Sequence, residues 1–268
     1  MNDLLSPRRP QHRRGLMATL LLILAAVAGA GAWWTMRDRA QEDNDLAARL
    51  SAAGIGSGER AAIEAVVHDY ILEHPEILPQ AMERLQVRET GERIASLRPS
   101  LVTPFPGAVL GNPSGTRIIV EFTDYACSFC KASVADLKAL IAADPQLKVV
   151  IRELPILSAE SEAAARVALG AASQGRYARF HDALFAAERP DGTAVSAAAA
   201  ASGVDLRAAR AAGNAPAVSA ELARNQELAR QLGIKGTPAW VIGDRLLAGA
   251  VGRKALEQAL AAAPGAAR

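Results

Sequence analysis

Two cysteines, Cys127 and Cys130, are the only ones in the chain, and two residues separate them (Cys127-Ser-Phe-Cys130). A β-branched run, Arg117 to Phe122, lies just before the pair and predicts a buried strand. Directly after it Cys130, Val134, Leu137, Leu140 and Ile141 recur at helical spacing. The first sulfur is therefore expected where a strand ends and a helix begins, among unpaired backbone N–H groups at the positive end of the helix dipole. That field favours thiolate, the nucleophile in disulfide exchange. One turn on, Cys130 points back beneath Cys127, within reach for closing a disulfide. Three plainer readings compete. A structural disulfide closing so short a loop constrains the unfolded chain very little. A zinc site lacks a second cysteine pair, and the four histidines do not cluster. Two inert thiols fit poorly with export to an oxidising compartment, for which the N-terminus argues. Redox exchange is the favoured reading.

The elements that must hold this pair follow from periodicity. Gln146 to Leu154 reads as a second strand with Leu147, Val149 and Ile151 on one side, stopped by Pro155. Residues 158–232 read as helices dense in alanine, broken at Gly175, at Pro190-Asp-Gly192 and at Gly213. Thr237-Pro238 leads into a third strand, Ala239 to Ile242. Gly243-Asp244 turns the chain, Leu246 to Ala248 returns, and Arg253 to Ala262 closes as a helix. Upstream, Ile63, Val66, Val67, Tyr70 and Ile71 form one apolar stripe on a helix ended by Pro75. A second helix begins near Pro79, with Ala81, Met82 and Leu85 expected inward. The stripe suits either packing within its own domain or self-association. Gly54-Ile-Gly-Ser-Gly58 is expected as a flexible break, and Arg98 to Pro113, with four prolines, as a linker.

The 268 residues are 50% hydrophobic and 22% charged, which excludes a disordered chain. Aromatics make up only 4% against 59 alanines, so the core must be aliphatic and helix-rich. Leu16 to Trp34 carries no charge, and Arg8, Arg9, Arg13 and Arg14 precede it. As a helix those residues span roughly 28 Å, close to the ~30 Å hydrocarbon core. The basic side is expected in the cytoplasm, with everything after Arg37 exported. Ala28-Gly-Ala-Gly-Ala32 offers the competing reading, a cleaved signal peptide, though the apolar run is longer than such peptides usually have. Without residues 1–36 the chain has 26 basic and 27 acidic groups, a net charge of −1. That balance gives no electrostatic case for nucleic acid.

Val120-Glu-Phe-Thr-Asp-Tyr-Ala-Cys-Ser-Phe-Cys-Lys131, together with Gly233-Ile-Lys-Gly-Thr-Pro-Ala-Trp-Val-Ile-Gly243, resembles the DsbA family of thioredoxin-fold thiol–disulfide oxidoreductases. Ile63-Glu-Ala-Val-Val-His-Asp-Tyr-Ile-Leu-Glu-His-Pro-Glu-Ile-Leu78 resembles the N-terminal helical region of its suppressor-of-copper-sensitivity C-type branch, where such a region can mediate oligomerisation. The resemblance implies an α/β thioredoxin-like fold with an inserted helical block at about 158–232. Four regions are then expected: a basic cytoplasmic segment (1–15), a transmembrane anchor or signal (16–36), a stalk and helical, possibly self-associating, region (37–98), and a DsbA-like domain (99–268).

The same resemblance implies roles. Cys127 would be the solvent-facing attacking thiol and Cys130 the resolving one. Pro238 falls on the family's cis-proline, and Thr237 before it would offer main-chain hydrogen bonds to an extended substrate. Ser128 and Phe129 would border that substrate. Glu121 falls on the buried acid that relays a proton to or from Cys130. The strongly oxidising members have histidine where this chain has Phe129, which donates nothing to a sulfur anion, so a milder redox poise is expected. The implied activity is oxidation or isomerisation of protein disulfides, with no organic cofactor and no metal. Expected partners are substrate proteins with thiols or disulfides, a membrane redox partner that resets the dithiol, and further copies of the chain. The expected location is the inner membrane with the catalytic domain in the periplasm, or the periplasm itself after cleavage. The alternative from a different class is a copper-tolerance module whose two soft thiolates hold Cu(I).

Overall fold

The computed structural model describes residues 33–34, 37 and 48–263, and the chain forms two compact units, Met1–Pro79 and Gln80–Arg268. In the first unit α1 (Ser57–Glu73) follows Gly54, whose φ of +81° breaks the chain as its glycines predict. The Glu59 carboxylate accepts the Gly56 N–H at 2.9 Å, which satisfies one orphan donor of the first turn. His74 closes the helix by donating its N–H to the Tyr70 carbonyl, and Pro75 prevents continuation. The predicted stripe forms and lies open: Ile63, Val66, Val67 and Tyr70 are all exposed.

The next helix, α2 (Ile77–Val102), overturns two expectations. Ala81, Met82 and Leu85 are exposed rather than inward, because the buried residues of this helix are Ile94 and Leu101, further along. Nor is Arg98 to Pro113 a linker. The helix runs through Pro99 to Val102, and β1 (Val109–Gly111) follows. The carbonyls left open where the helix ends have a partner: the guanidinium of Arg152 donates to those of Ser100, Leu101 and, just past the end, Thr103.

Five strands form one sheet in the order β1-β3-β2-β4-β5, comprising β1, β2 (Arg117–Thr123), β3 (Leu147–Glu153), β4 (Ala239–Ile242) and β5 (Arg245–Ala248). The central pair β2 and β3 is parallel, joined through α3 (Ser128–Ala143), and the other pairings are antiparallel. Both central strands are buried on both faces, which is why their sequences read as nearly unbroken apolar runs. Ile119, Val149 and Ile151 pack on one face with α3, α4 (Ala159–Ala172), α5 (Tyr177–Ala186) and α9 (Arg253–Ala262). Val120, Phe122 and Val150 pack on the other with Ile94 and Leu101 of α2 and Leu228 and Leu232 of α8 (Pro216–Leu232).

The helical block adds α6 (Gly192–Ser202) and α7 (Leu206–Gly213). The alanine content has a geometric reason here. Gly170 of α4 lies so near the Ala209 carbonyl of α7 that a β-carbon would collide with it, so these helices meet almost backbone to backbone. Arg152, fully buried, ties the second face together by donating to Glu221 at 2.7 Å and Asn225 at 3.4 Å.

The apolar segment at 16–36 lies outside the described residues, apart from Trp33 and Trp34. Among the described residues no helix is long and apolar enough to cross a membrane.

Candidate active site

The turn after β2 places the first cysteine. Asp124 accepts the Cys127 N–H at its backbone carbonyl (3.0 Å), and one carboxylate oxygen accepts the Ala126 N–H (2.7 Å). Cys127 is the N-cap of α3, with extended backbone (φ −85°, ψ 115°), and its Sγ accepts the Cys130 N–H at 3.4 Å. The sulfur thus takes the place that a serine or aspartate oxygen fills at other helix starts. Its thiol also donates to the Thr237 carbonyl at 3.1 Å, and the Thr237–Pro238 peptide bond is cis. Both cysteines are free thiols. Cys127 keeps 7% exposure and Cys130 none, so the sulfur expected to face solvent is the more open of the two yet largely covered, with the Thr237 carbonyl over it. Ser128 and Phe129 are exposed beside it, Phe129 at 65%.

Below the pair the environment reverses. Burial pushes the Cys130 thiol far up, against the pull of the Thr123 and Thr237 hydroxyls and the Asp124 backbone, while Glu121 pushes it further. Glu121 is itself buried, and its carboxyl is raised to about 8, first by desolvation and then by the charge of Glu153. Glu153 is also raised to about 8 by desolvation, although the hydroxyls of Tyr177 (2.6 Å) and Tyr125 (3.0 Å) donate to its Oε1. Residue-level reading did not single out Glu153, Tyr125, Tyr177 or Asp124. Asp124 has a further positioning role: its second carboxylate oxygen accepts the N–H groups of Ile156 and Leu157 (2.9 and 3.0 Å), fixing an exposed aliphatic pair beside the cysteine turn. Beyond the tyrosines His181 is buried among the rings of Tyr125, Tyr177 and Phe185, and burial lowers its pKa toward the neutral form. Among the described residues no three or more His, Cys, Asp or Glu side chains gather as a metal site.

A redox-capable dithiol at a helix start, facing a cis-proline loop on a β-β-α-β sheet, can exchange disulfides through one sulfur and close through the other. A family model for the DSBA-like thioredoxin domain matches residues 118–261. The chain belongs to that family of thiol–disulfide oxidoreductases. Residues 59–90 match the model of the copper resistance protein ScsC N-terminal domain. No curated protein matches the sequence. A solved thioredoxin-like oxidoreductase from Silicibacter pomeroyi DSS-3 is 40% identical, covering 61% of this chain and 95% of its own (TM-score 0.58). A linker-deletion variant of Proteus mirabilis ScsC is 27% identical and covers 77% and 95% (TM-score 0.59). The thiol-disulfide exchange protein α-DsbA2 from Wolbachia pipientis, also 27% identical, covers 66% and 96% (TM-score 0.61).

In this DsbA-like domain Glu121 costs stability at neutral pH. It keeps its proton in the fold up to about 8 but loses it near 4.5 once unfolded, so its contribution is fully present below 4.5 and is lost as pH rises toward 8. Glu121→Gln should therefore be more stable than the parent at pH 8, on the order of a few kcal/mol, with the gap closing near pH 4.5. Urea unfolding of the reduced proteins across that range checks it.

Proposed function

We propose that the protein is an extracytoplasmic oxidoreductase that oxidises dithiols or isomerises disulfides of substrate proteins, with Cys127 as the nucleophile and Cys130 as the resolving thiol. The observation carrying this reading is the asymmetry of the pair, one sulfur capping α3 and the other sealed beneath it. Cys127 as thiolate attacks a substrate disulfide, forming a mixed disulfide and releasing one substrate sulfur as thiolate. Cys130, its proton passed to Glu121, attacks Cys127 Sγ and frees the second substrate sulfur, so the substrate gains two electrons and the enzyme loses two. The reverse sequence oxidises a substrate dithiol. The Thr237 main chain, next to Pro238, pairs with an extended substrate segment, and Ser128 and the exposed Phe129 ring border it. The dithiol is the redox group, so no cofactor enters, and a membrane redox partner resets it. The Cu(I) alternative would rest on the two thiolates alone.

The apolar residues 16–34 behind four arginines support a single-pass anchor or an export signal, with the DsbA-like domain in the periplasm. The open stripe of α1 and the ScsC N-terminal match over 59–90 support self-association through that region.

Cys130→Ser should leave substrates covalently attached to Cys127, released by reductant and absent from the Cys127→Ser variant; non-reducing electrophoresis with mass identification reads this. Equal trapping by both variants would remove Cys127 as nucleophile. For assembly, sedimentation of the full chain should exceed the monomer mass and fall to it in Tyr70→Glu.

A further inference from the structure

The exchange as described uses Glu121 and leaves a second buried acid without a task. Glu153 pairs with Thr123 in the β2–β3 register, and Glu121 with Ile151, so the two carboxyl groups sit two positions apart on the same sheet face, in the core that contains Cys130. Among the described residues neither forms an ion pair with a cation. The neighbouring guanidinium, Arg152, points to the opposite face and is bonded to Glu221. Glu153 is instead fixed by the two phenol hydroxyls on Oε1, while its Oε2, like Glu121 Oε2, has no hydrogen-bond partner among the described residues. A fully buried carboxyl group with an unsatisfied oxygen is costly to keep, and here two tyrosines from separate elements are arranged to hold it.

We propose that Glu153 is a positioning residue for the thiol exchange that acts through Glu121: its carboxyl group, held by Tyr125 and Tyr177, disposes Glu121 to take and keep the proton leaving Cys130. This inference rests on Glu121 as the proton acceptor. In the resolving step the Cys130 S–H proton moves to Glu121, the Cys130–Cys127 S–S bond forms, and the bond from Cys127 to the substrate sulfur breaks. The substrate leaves as a thiolate that is protonated from water, and Glu121 later returns its proton to solvent. Glu153 forms no bond in the sequence. Once ionised, it opposes a second negative charge on its face of the sheet. The groups that act on it are Asp124 and Tyr125 from the turn after β2 and Tyr177 of α5; it acts in turn on Glu121, which Cys127 also faces, and His181 packs against the two tyrosine rings.

Mixing the reduced full chain with oxidised glutathione, quenching with acid and separating mixed from closed disulfide by mass gives the rate of the resolving step across pH. In the parent protein that rate should climb through a midpoint set by Glu121. Glu153→Gln should move the midpoint to lower pH by about one unit, because removing the like charge lets Glu121 ionise sooner. Tyr177→Phe, which deletes a single hydroxyl, should move it the same way, since Glu153 with one donor fewer holds its own proton more firmly. A purely structural role would not move the midpoint. Midpoints unchanged or raised in both variants, while Glu121→Gln abolishes the climb, would overturn the role of Glu153 alone. A climb that survives in Glu121→Gln would instead overturn the proton relay, and this inference with it.

Discussion

The chemistry of the site depends on what surrounds one sulfur. Cys127 Sγ receives a backbone N–H from the first turn of α3 and faces a backbone carbonyl across the cis-proline loop. The helix terminus favours negative charge there, by typically 0.3 to 1 and up to ~2 kcal/mol in partly buried settings. The Thr237 carbonyl can only accept, so it holds the thiol and offers nothing to a thiolate. Phe129, exposed and without a donor, adds nothing either. The donor that the proposed exchange relies on is therefore the helix backbone, held in place by α3 and β2.

The sheet beneath is divided by chemistry. One face of β3 carries Glu153, with Glu121 alongside on β2, within the core that includes Cys130 and the tyrosines. Arg152, one residue earlier, projects to the other face and donates to Glu221, Asn225 and the terminal carbonyls of α2. Alternation along a strand keeps the guanidinium and the carboxyl group apart. Had they shared a face they would have neutralised each other, and the acids would have had no reason to hold protons near pH 8. Their protonation in the fold reflects desolvation first; the charge of Glu153 then raises Glu121, and that of Asp124 raises Glu153 against the pull of the two phenols.

Much of this was legible before the structure. The cysteine pair between a strand and a helix, the second strand, the helical block and the closing hairpin all follow from periodicity and punctuation. β1 was hidden because it has three residues and ends in Gly111, whose positive φ and contact with the Leu147 carbonyl need a glycine that reads as loop. The end of α2 was hidden because Pro99 signals a break, and the compensating donor, Arg152, lies 49 to 52 positions away. Met82 and Leu85 show that periodicity identifies a face without identifying what covers it. Glu153 has a signal in the sequence: Arg152 and Glu153 follow directly on the apolar Val149-Val150-Ile151, and charged groups at the buried end of a strand must each have a partner. Which partners they have, on which side, is a matter of tertiary structure alone.

Equilibrating the protein with defined ratios of reduced and oxidised glutathione tests the central claim most directly. A thiolate held by helix backbone alone should give a reduction potential clearly more negative than the roughly −120 mV of the most oxidising relatives. A potential at or above that value would contradict the account, because it would require a stabiliser of the Cys127 anion that this site does not contain.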